Sequence, residues 1–373
     1  MIETLPLVGK IIYYLLFVLF LFLYARHKYE YGKNKNGKNV KFGFIALTIF
    51  AILFGIYGVI CGPPGESIGD RHNYAVRFEV DRYEESVKEA SPGLYFIESI
   101  VHIFSNNSSI LFFVISVIYF CINIYCYKNL KDATPLYLLL FFLSTLGLFG
   151  FYGLKQAMAL AFVNLSLTEY FQRKRVLAIA FLIVAILFHE ATWIVIPFFV
   201  LAKYCKGSKI RQIIIYACTI MITIFFPQIS KFFLSIFGYI PGMNEQLSSY
   251  VDETGSVMVD MNFFTIIKGV PYYLITIIAI ACREKLKDKV DNYDFLLALS
   301  VFCSIFSVLS MYMYWMFRFA LYCYVPCFIL ASQLALYLQE RDTRIFKLLV
   351  AGILLILMIK VLTQYYFIYG GII

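Results

Sequence analysis

The chain has 373 residues, of which 61% are hydrophobic and only 15% charged, and its formal net charge is +9. With a mean hydropathy of +0.79, this composition excludes a soluble globular protein, because soluble domains carry about 25% charged residues. It predicts one integral-membrane domain over 1–373: an all-α, multi-pass helical bundle of about 11–12 transmembrane helices with short hairpin spans and two outer loops.

The apolar runs give the order of the predicted spans. They lie near 11–25, 42–61, 108–127, 135–152, 154–171, 176–188, 190–202, 212–237, 263–282, 293–314, 317–338 and 346–368. Six linkers between them hold 22 of the 32 basic residues, namely 26–41, 128–132, 173–175, 203–211, 283–294 and 339–347. Because basic linkers stay in the cytoplasm, the termini and two polar loops, 62–107 and 238–262, are predicted on the extracytoplasmic side.

One segment tests this topology. Residues 176–202 read as one long apolar helix, but a single crossing would place the basic linker 203–211 outside and invert every later loop. Two short limbs hinged at His189-Glu190 restore the orientation of those loops. Each limb is only about 20 Å long, which is tolerated where a segment lines a wet cavity. We therefore predict a hairpin with His189 at its outer tip.

The two outer loops hold the longest polar stretches. The first contains Asp70, Arg71 and Tyr74, and its pattern over 94–104 predicts a short amphipathic helix at the membrane interface. The second contains Tyr250 and has the length of a lid over a cavity. A solvated turn in the first loop and a mobile surface loop in the second are the alternative interpretations.

Further polar residues border the spans on the same side. Lys155-Gln156 follows Gly153 between two spans, His189-Glu190 lies between two apolar limbs, and Arg318 follows an aromatic run. Charges at membrane depth are costly and often functional. The alternatives are a turn with a snorkelling lysine, a packing histidine, a glutamate that only marks the hairpin tip and an interfacial arginine. Together these residues predict an anion-binding cavity on the outer side.

The sequence lacks the motifs of several classes of enzymes and binding sites. It lacks a P-loop, HExxH, GxSxG and the DxD of nucleotide-sugar transferases, so no ATPase, zincin, hydrolase elbow or nucleotide site is expected. The nine cysteines form no CxxC pair and are interpreted as packing residues. We expect no metal site and no cofactor.

The ordered set of motifs resembles the EpsG family, which belongs to the Wzy-like O-antigen and exopolysaccharide polymerases. The residues that carry the resemblance are Asp70-x3-Tyr74, Pro92-Gly93-x-Tyr95, Gly153-x-Lys155-Gln156, Phe188-His189, Pro197, Tyr250 and Arg318. They extend over most of the chain. The family usually has Arg-Gln where this chain has Lys155-Gln156.

The resemblance implies a glycosyltransferase of the bacterial cell (inner) membrane whose active site faces the periplasm or the cell exterior. Its donor would be a growing glycan on undecaprenyl pyrophosphate, and its acceptor a single repeat unit on the same lipid, as in lipopolysaccharide or exopolysaccharide synthesis. The reaction would be independent of metal. A polysaccharide chain-length regulator is an expected partner, whereas nucleic acid is not.

The candidate residues fit this chemistry. We expect Lys155, Arg318 and Arg71 to offset the charge that builds on the leaving pyrophosphate. His189 is predicted to be the general base, because a histidine titrates near neutral pH, and Asp70 is the second candidate. The remaining predicted substrate-binding residues are Tyr74, Gln156, Glu190 and Tyr250.

Two other functions stay open at this stage. An O-antigen ligase-type transferase would act on the same lipid-linked substrates, but ligases usually have a larger second outer loop than the predicted 238–262. A lipid-linked oligosaccharide flippase would show repeated halves and charges along a central lumen. The stereochemistry of the transfer, inverting or retaining, is left open by the sequence.

Overall fold

The computed structural model describes residues 7–34, 40–60, 70–80, 91–205, 263–312 and 317–342, with isolated residues within 208–225 and 344–359. Every regular element in these residues is a helix, which confirms the all-α class for the described part. The chain divides into two compact units, Met1–Val195 with Ala331–Ile373, and Ile196–Leu330. The predicted second outer loop lies outside the described residues.

The helices are numbered in chain order. Those that lie wholly in the first unit are α1 (Leu7–Asn34), α2 (Val40–Ile60), α3 (Asp70–Glu79), α4 (Pro92–His102), α5 (Ser108–Asn129), α6 (Pro135–Leu143), α7 (Thr145–Tyr152), α8 (Leu154–Phe171), α9 (Arg175–Phe188) and a 3₁₀ helix, Glu190–Ile194. They are followed by α10 (Val195–Cys205), α11 (Phe263–Leu286), α12 (Tyr293–Tyr312), α13 (Phe317–Leu321) and α14 (Tyr324–Arg341).

Three described helices are long and apolar enough to cross a membrane: Val8–Glu30 in α1, Gly43–Ile60 in α2 and Ser108–Asn129 in α5. Large apolar side chains also lie exposed on these helices, such as Phe20, Phe44 and Ile49. Soluble proteins rarely expose apolar surface on this scale, whereas a bilayer covers it. These helices make the chain a membrane protein, and the count of 11–12 spans stays a prediction.

Helices α2 and α5 pack closely because two glycines of α2 face α5. A Cβ added at Gly55 would meet Val117 at 2.6 Å, and one added at Gly58 would meet the Cβ of Ser116 at 2.9 Å. Small residues let membrane helices approach, and this close packing replaces the hydrophobic effect that lipid removes. The Ser116 hydroxyl also donates to the carbonyl oxygen of Gly150 at 2.9 Å, which ties α5 to α7.

Among the described residues, three predicted spans differ from the helices of the structure, and one of them is the single span 317–338, which is divided into α13 and α14. The first span was predicted to end at residue 25, but α1 continues to Asn34, and Arg26 pairs with Glu30 at 2.8 Å on its polar end. The predicted single span 135–152 is divided at Ser144, whose extended backbone separates α6 from α7. The Ser144 hydroxyl donates to the carbonyl oxygen of Phe141 at 2.7 Å and accepts from the amide of Leu146 at 3.1 Å. The side chain therefore provides hydrogen-bond partners for backbone groups on both sides of the break.

In the second unit, α11 and α12 form a hairpin. The Thr276 hydroxyl lies 2.7 Å from the Ser304 hydroxyl in the middle of the pair. At the linker, the guanidinium of Arg283 donates two hydrogen bonds to the carboxylate of Asp294, at 2.8 and 2.9 Å. This bidentate ion pair joins the two ends of the predicted cytoplasmic linker 283–294.

Replacing Gly58 with valine is expected to lower the midpoint of thermal unfolding, because the new side chain would collide with Ser116 and overpacking costs about 1–3 kcal/mol. Gly352→Val is the matched control, since no other described part of the chain lies within 4 Å of the Cβ position there. The measurement is the fraction of detergent-solubilised protein that stays monodisperse after heating. Equal midpoints for the two variants would contradict the close packing of α2 on α5.

Candidate functional site

Helices α8 and α9 form an antiparallel pair that brings two predicted site residues toward one end. The rings of Phe162 and Phe188 stack with centroids 5.5 Å apart, and the Ser166 hydroxyl donates to the carbonyl oxygen of Ala178 at 2.7 Å. Lys155 lies at the start of α8, and His189 directly follows the end of α9. The contact near that end therefore places both residues toward the same end of the helix pair.

Helix α4 packs against this end through Gly93. A Cβ added at Gly93 would lie 3.0 Å from the ring of Phe188 and 3.1 Å from the backbone of Leu187. The predicted Pro92-Gly93 turn thus opens a helix, with Pro92 at its first position. Glycine is required because any side chain would push α4 away from the residue that precedes His189. The predicted interfacial position of this helix stays a prediction.

The inner face of α4 carries a carboxylate that is paired across to α3. Glu98 is 5% exposed, and its Oε1 accepts a charge-assisted hydrogen bond from Nη2 of Arg77. The Nε of Arg77 is also buried, and it has no hydrogen-bond partner among the described residues. The Arg77 guanidinium lies 5.4 Å from the ring centroid of Tyr74. The buried pair therefore keeps one donor unused.

Lys155 belongs to the same cluster. Burial raises the pKa of the Glu98 carboxyl, and Arg77 and then Lys155 act in the opposite direction as nearby positive charges. The net shift is upward, so desolvation outweighs the attraction of the two cations. A buried ion pair of this kind contributes little stability by itself. We call Arg77, Glu98 and Lys155 the outer charge cluster, after the predicted outer loop 62–107 that contains the first two.

The start of α8 adds to the positive character of the cluster. Lys155 and Gln156 are its second and third residues, and Gln156 is 5% exposed. The first turn of a helix presents unpaired backbone N–H groups and a partial positive charge. A lysine in this turn lies where an anion is favoured.

The predicted ligand Arg71 has a different environment. It is 9% exposed, its guanidinium lies 3.7 Å from the ring centroid of Phe112, and its Nη2 donates to the carbonyl oxygen of Val59 at 3.3 Å. These contacts attach α3 to α2 and α5. Arg71 therefore holds the helix that carries Arg77, while the role of substrate ligand stays a prediction for it.

The predicted break at His189-Glu190 is present. His189 has an extended backbone (φ −153°, ψ 115°), and its Nδ1 accepts a hydrogen bond from the amide of Ala191 at 3.1 Å. Its own amide donates to Ala185, and its carbonyl oxygen accepts from Thr192. His189 thus ends α9 and caps the 3₁₀ helix. Glu190 is exposed at the first position of that helix, and the predicted reversal of the chain here stays a prediction.

The structure describes three other predicted residues only in part or not at all. Asp70 is the first residue of α3, and its side chain lies outside what the structure describes. Arg318 is half-buried in α13 of the second unit. Tyr250 lies outside the described residues. Within the described ranges, no three His, Cys, Asp or Glu side chains come together as metal ligands.

Sequence reasoning missed Arg77 and Glu98. Glu98 occupies a position three and four residues from the buried Val101 and Leu94, so it lies on the apolar face of α4. A carboxylate on the buried face of an amphipathic helix needs a buried partner, and this signal was available. Its partner, 21 residues earlier, was not identifiable from spacing.

The comparisons with known proteins agree with the motif order. The sequence matches the EpsG family over residues 47–372. No curated protein matches the chain, and no solved structure does. The match covers most of the chain and includes every element of the outer charge cluster, and it supports a polysaccharide polymerase-type function. This membrane protein belongs to the EpsG family.

Proposed function

We propose that this protein is a polysaccharide polymerase that joins oligosaccharide repeat units carried on undecaprenyl pyrophosphate at the extracytoplasmic face of the bacterial inner membrane. EpsG membership over residues 47–372 carries the proposal. The outer charge cluster supports it, because a lipid pyrophosphate donor needs fixed cations near the headgroup. A chain-length regulator is proposed as a partner that binds the same glycan.

The proposed chemistry places most of the catalytic demand on the leaving group. As the glycosyl–phosphate bond breaks, negative charge develops on the pyrophosphate, and cations already in position stabilise it without reorganisation. Lys155 and Arg77, both in the first unit, would supply this charge. The energy of the transfer lies in the bond that is broken, so the proposal includes no nucleotide and no metal.

Glu98 has a specific place in this proposal. In the absence of substrate it holds Arg77 and reduces the repulsion between Arg77 and Lys155. Phosphate oxygens that enter the cluster would compete with Glu98 for both cations and would use the spare Nε of Arg77. The carboxylate thus orients the cations and keeps them available.

The function is tested by the surface glycan of a strain deleted for this gene and complemented with the wild-type gene. We expect single repeat units on the surface of the deletion strain and long chains after complementation, because a polymerase acts after the lipid-linked unit has crossed the membrane. Full-length polymer retained on its lipid carrier would indicate a ligase instead. Loss of all surface glycan would indicate a flippase.

Exchanging the charges of the Arg77–Glu98 pair separates its contribution to stability from its proposed role in binding pyrophosphate. Arg77→Glu or Glu98→Arg alone leaves an uncompensated buried charge, which costs about 3–5 kcal/mol and should lower membrane abundance. The double variant should restore abundance but leave polymer at least tenfold below wild type, since the cation has moved from α3 to α4. The readouts are membrane abundance by immunoblot and surface polymer.

The matched control is the exchange Arg283→Asp with Asp294→Arg. That pair joins two helices of the second unit through two hydrogen bonds, so its double variant should recover both abundance and polymer. If the Arg77–Glu98 exchange also recovered full polymer, the pair would be structural only, and the proposed role of Arg77 would be wrong.

Substitutions of Lys155 test the second cation. Lys155→Arg should keep activity, because the charge is retained and the family usually has arginine here. Lys155→Gln should lower polymer tenfold to hundredfold, as expected for the loss of a charged hydrogen bond worth about 1.5–3 kcal/mol. Lys285→Gln, at an exposed residue of α11, is the control and should have no effect. Wild-type polymer in Lys155→Gln would exclude Lys155 from the site.

A further inference from the structure

The three long apolar helices α1, α2 and α5 pack side by side in alternating directions. Tyr13 of α1 stacks on Tyr57 of α2 with ring centroids 5.4 Å apart, and towards the other end of the pair the Tyr24 hydroxyl donates to the carbonyl oxygen of Gly43 at 2.8 Å. These contacts make α1 and α2 antiparallel, and the glycine contacts of α2 on α5 are antiparallel as well. Helices α1 and α5 are therefore parallel and end on the same side.

The parallel helices α1 and α5 each carry a lysine near that end. The rings of Phe17 in α1 and Phe120 in α5 contact each other with centroids 6.0 Å apart. From this contact, Lys28 lies about 17 Å further along α1 and Lys128 about 12 Å further along α5, at 1.5 Å per residue. The two ammonium groups are close enough to repel each other. Two like charges therefore meet at the end that is predicted to face the cytoplasm.

Lys28 is held against the start of α2. Its Nζ lies 5.7 Å from the centroid of the Tyr24 ring, and a Cβ added at Gly43 would lie 2.8 Å from its Cε. Glycine thus lets the lysine stem lie on the backbone of α2. Gly43 belongs to the first turn of α2, where helices carry a partial positive charge. The start of this helix therefore adds to the positive potential of the two lysines.

The charge of this lysine pair is not neutralised within the described part of the chain. Neither Lys28 nor Lys128 forms an ion pair with a described residue. Glu30, two residues after Lys28, pairs instead with Arg26 at 2.8 Å on the polar end of α1. Because like charges at close range repel, an anion bound between the two lysines would remove an unfavourable interaction.

The surface beside the lysine pair is suited to lipid. Leu23 and Phe44, which adjoin in sequence the two residues that contact Lys28, are exposed on helices long enough to span a membrane. Tyr125, one turn before Lys128, is exposed as well, and tyrosines are enriched at the level of lipid headgroups. A phospholipid matches this arrangement, because its phosphate can lie at the lysines while its acyl chains cover the apolar side chains.

We infer that Lys28 and Lys128 bind the headgroup phosphate of an anionic phospholipid. Anionic headgroups of the cytoplasmic leaflet attract basic residues at helix ends, and basic pockets between membrane helices on that side hold such lipids. The lipid joins α1 to α5 and removes the repulsion between the two lysines. The site is independent of the proposed function, since it lies at the opposite end of α5 from Phe112, where Arg71 attaches α3.

Native mass spectrometry of the purified full-length protein tests this site. The probes are phosphatidylglycerol and phosphatidylethanolamine with the same acyl chains, and wild type should prefer phosphatidylglycerol. Lys28→Gln or Lys128→Gln should lower the affinity for phosphatidylglycerol about fivefold, and the two together about 30-fold, from the contribution of each basic residue. Affinity for phosphatidylethanolamine should change much less. Lys28→Arg with Lys128→Arg should keep the preference, because both charges are retained.

The matched control removes the same number of charges elsewhere on the predicted cytoplasmic side. Lys203→Gln with Lys285→Gln alters two exposed lysines and should bind phosphatidylglycerol as wild type does. An equal loss in this control, or wild-type affinity in Lys28→Gln with Lys128→Gln, would overturn the inference. Displacement of the lipid by an equal concentration of glycerol phosphate would also overturn it, because the headgroup alone would then suffice. So would lipid-free dimers that separate in Lys28→Gln with Lys128→Gln, since a second copy would then cover the lysines.

Thermal unfolding gives a second readout of the same site. Phosphatidylglycerol should raise the unfolding midpoint of wild type and of the Lys203→Gln, Lys285→Gln control, because a ligand that binds only the folded state stabilises it. The midpoint of Lys28→Gln with Lys128→Gln should rise markedly less. Equal increases in all three proteins would show that the lipid acts elsewhere and would contradict the inference.

Discussion

The ion pair between Arg77 on α3 and Glu98 on α4 connects the elements on which the candidate site depends. Both groups are largely buried, and burial shifts the pKa of Glu98 upward in spite of two nearby cations. Because such a pair gains little net free energy, stability alone does not explain it. Its consequence is that α4 is held by Arg77 at Glu98 and lies against Phe188, the residue before His189, at Gly93.

The second feature shared by this region is the interrupted helix. In a bilayer each broken helix leaves backbone groups that need partners, and the first unit supplies them from side chains. Ser144 satisfies the break between α6 and α7, Asn107 accepts from Ser109 at the start of α5, and His189 caps the 3₁₀ helix. At His189 the group that satisfies the backbone is also the group predicted to meet the substrate. One interaction therefore sets both the local fold and the available chemistry.

Much of the architecture was predictable because its causes are local. Apolar runs located the helices, and the polar pair His189-Glu190 located the break after α9, since neither side chain suits the interior of an apolar helix. The break at Ser144 was missed because 135–152 is largely apolar on both sides of the pair Ser144-Thr145. The length of α1 was underestimated because its last turns are charged and continue beyond any apolar run.

The candidate site was only partly predictable, for a different reason. Lys155 and His189 stand out because they interrupt apolar sequence. The Pro92-Gly93 pair is also recognisable, and it marks the start of α4. Arg77 does not stand out, because it lies in a polar segment where charge is ordinary, whereas Glu98 is marked only by its place on the apolar face of α4. Their pairing depends on α3 and α4 packing together, which no spacing in the sequence encodes. The hydrogen bond to Nδ1 of His189 likewise comes from a backbone amide two residues away, which only the folded chain directs at the ring.

The central claim is that the outer charge cluster binds the pyrophosphate of a lipid carrier. The most direct test is native mass spectrometry of purified protein mixed with undecaprenyl pyrophosphate or undecaprenol, for wild type and for the double variant Arg77→Glu, Glu98→Arg. The proposal predicts that wild type binds the pyrophosphate in clear preference to the alcohol, and that the double variant binds the two equally weakly. Equal preference for the pyrophosphate in both proteins would show that the headgroup binds elsewhere and would contradict the claim.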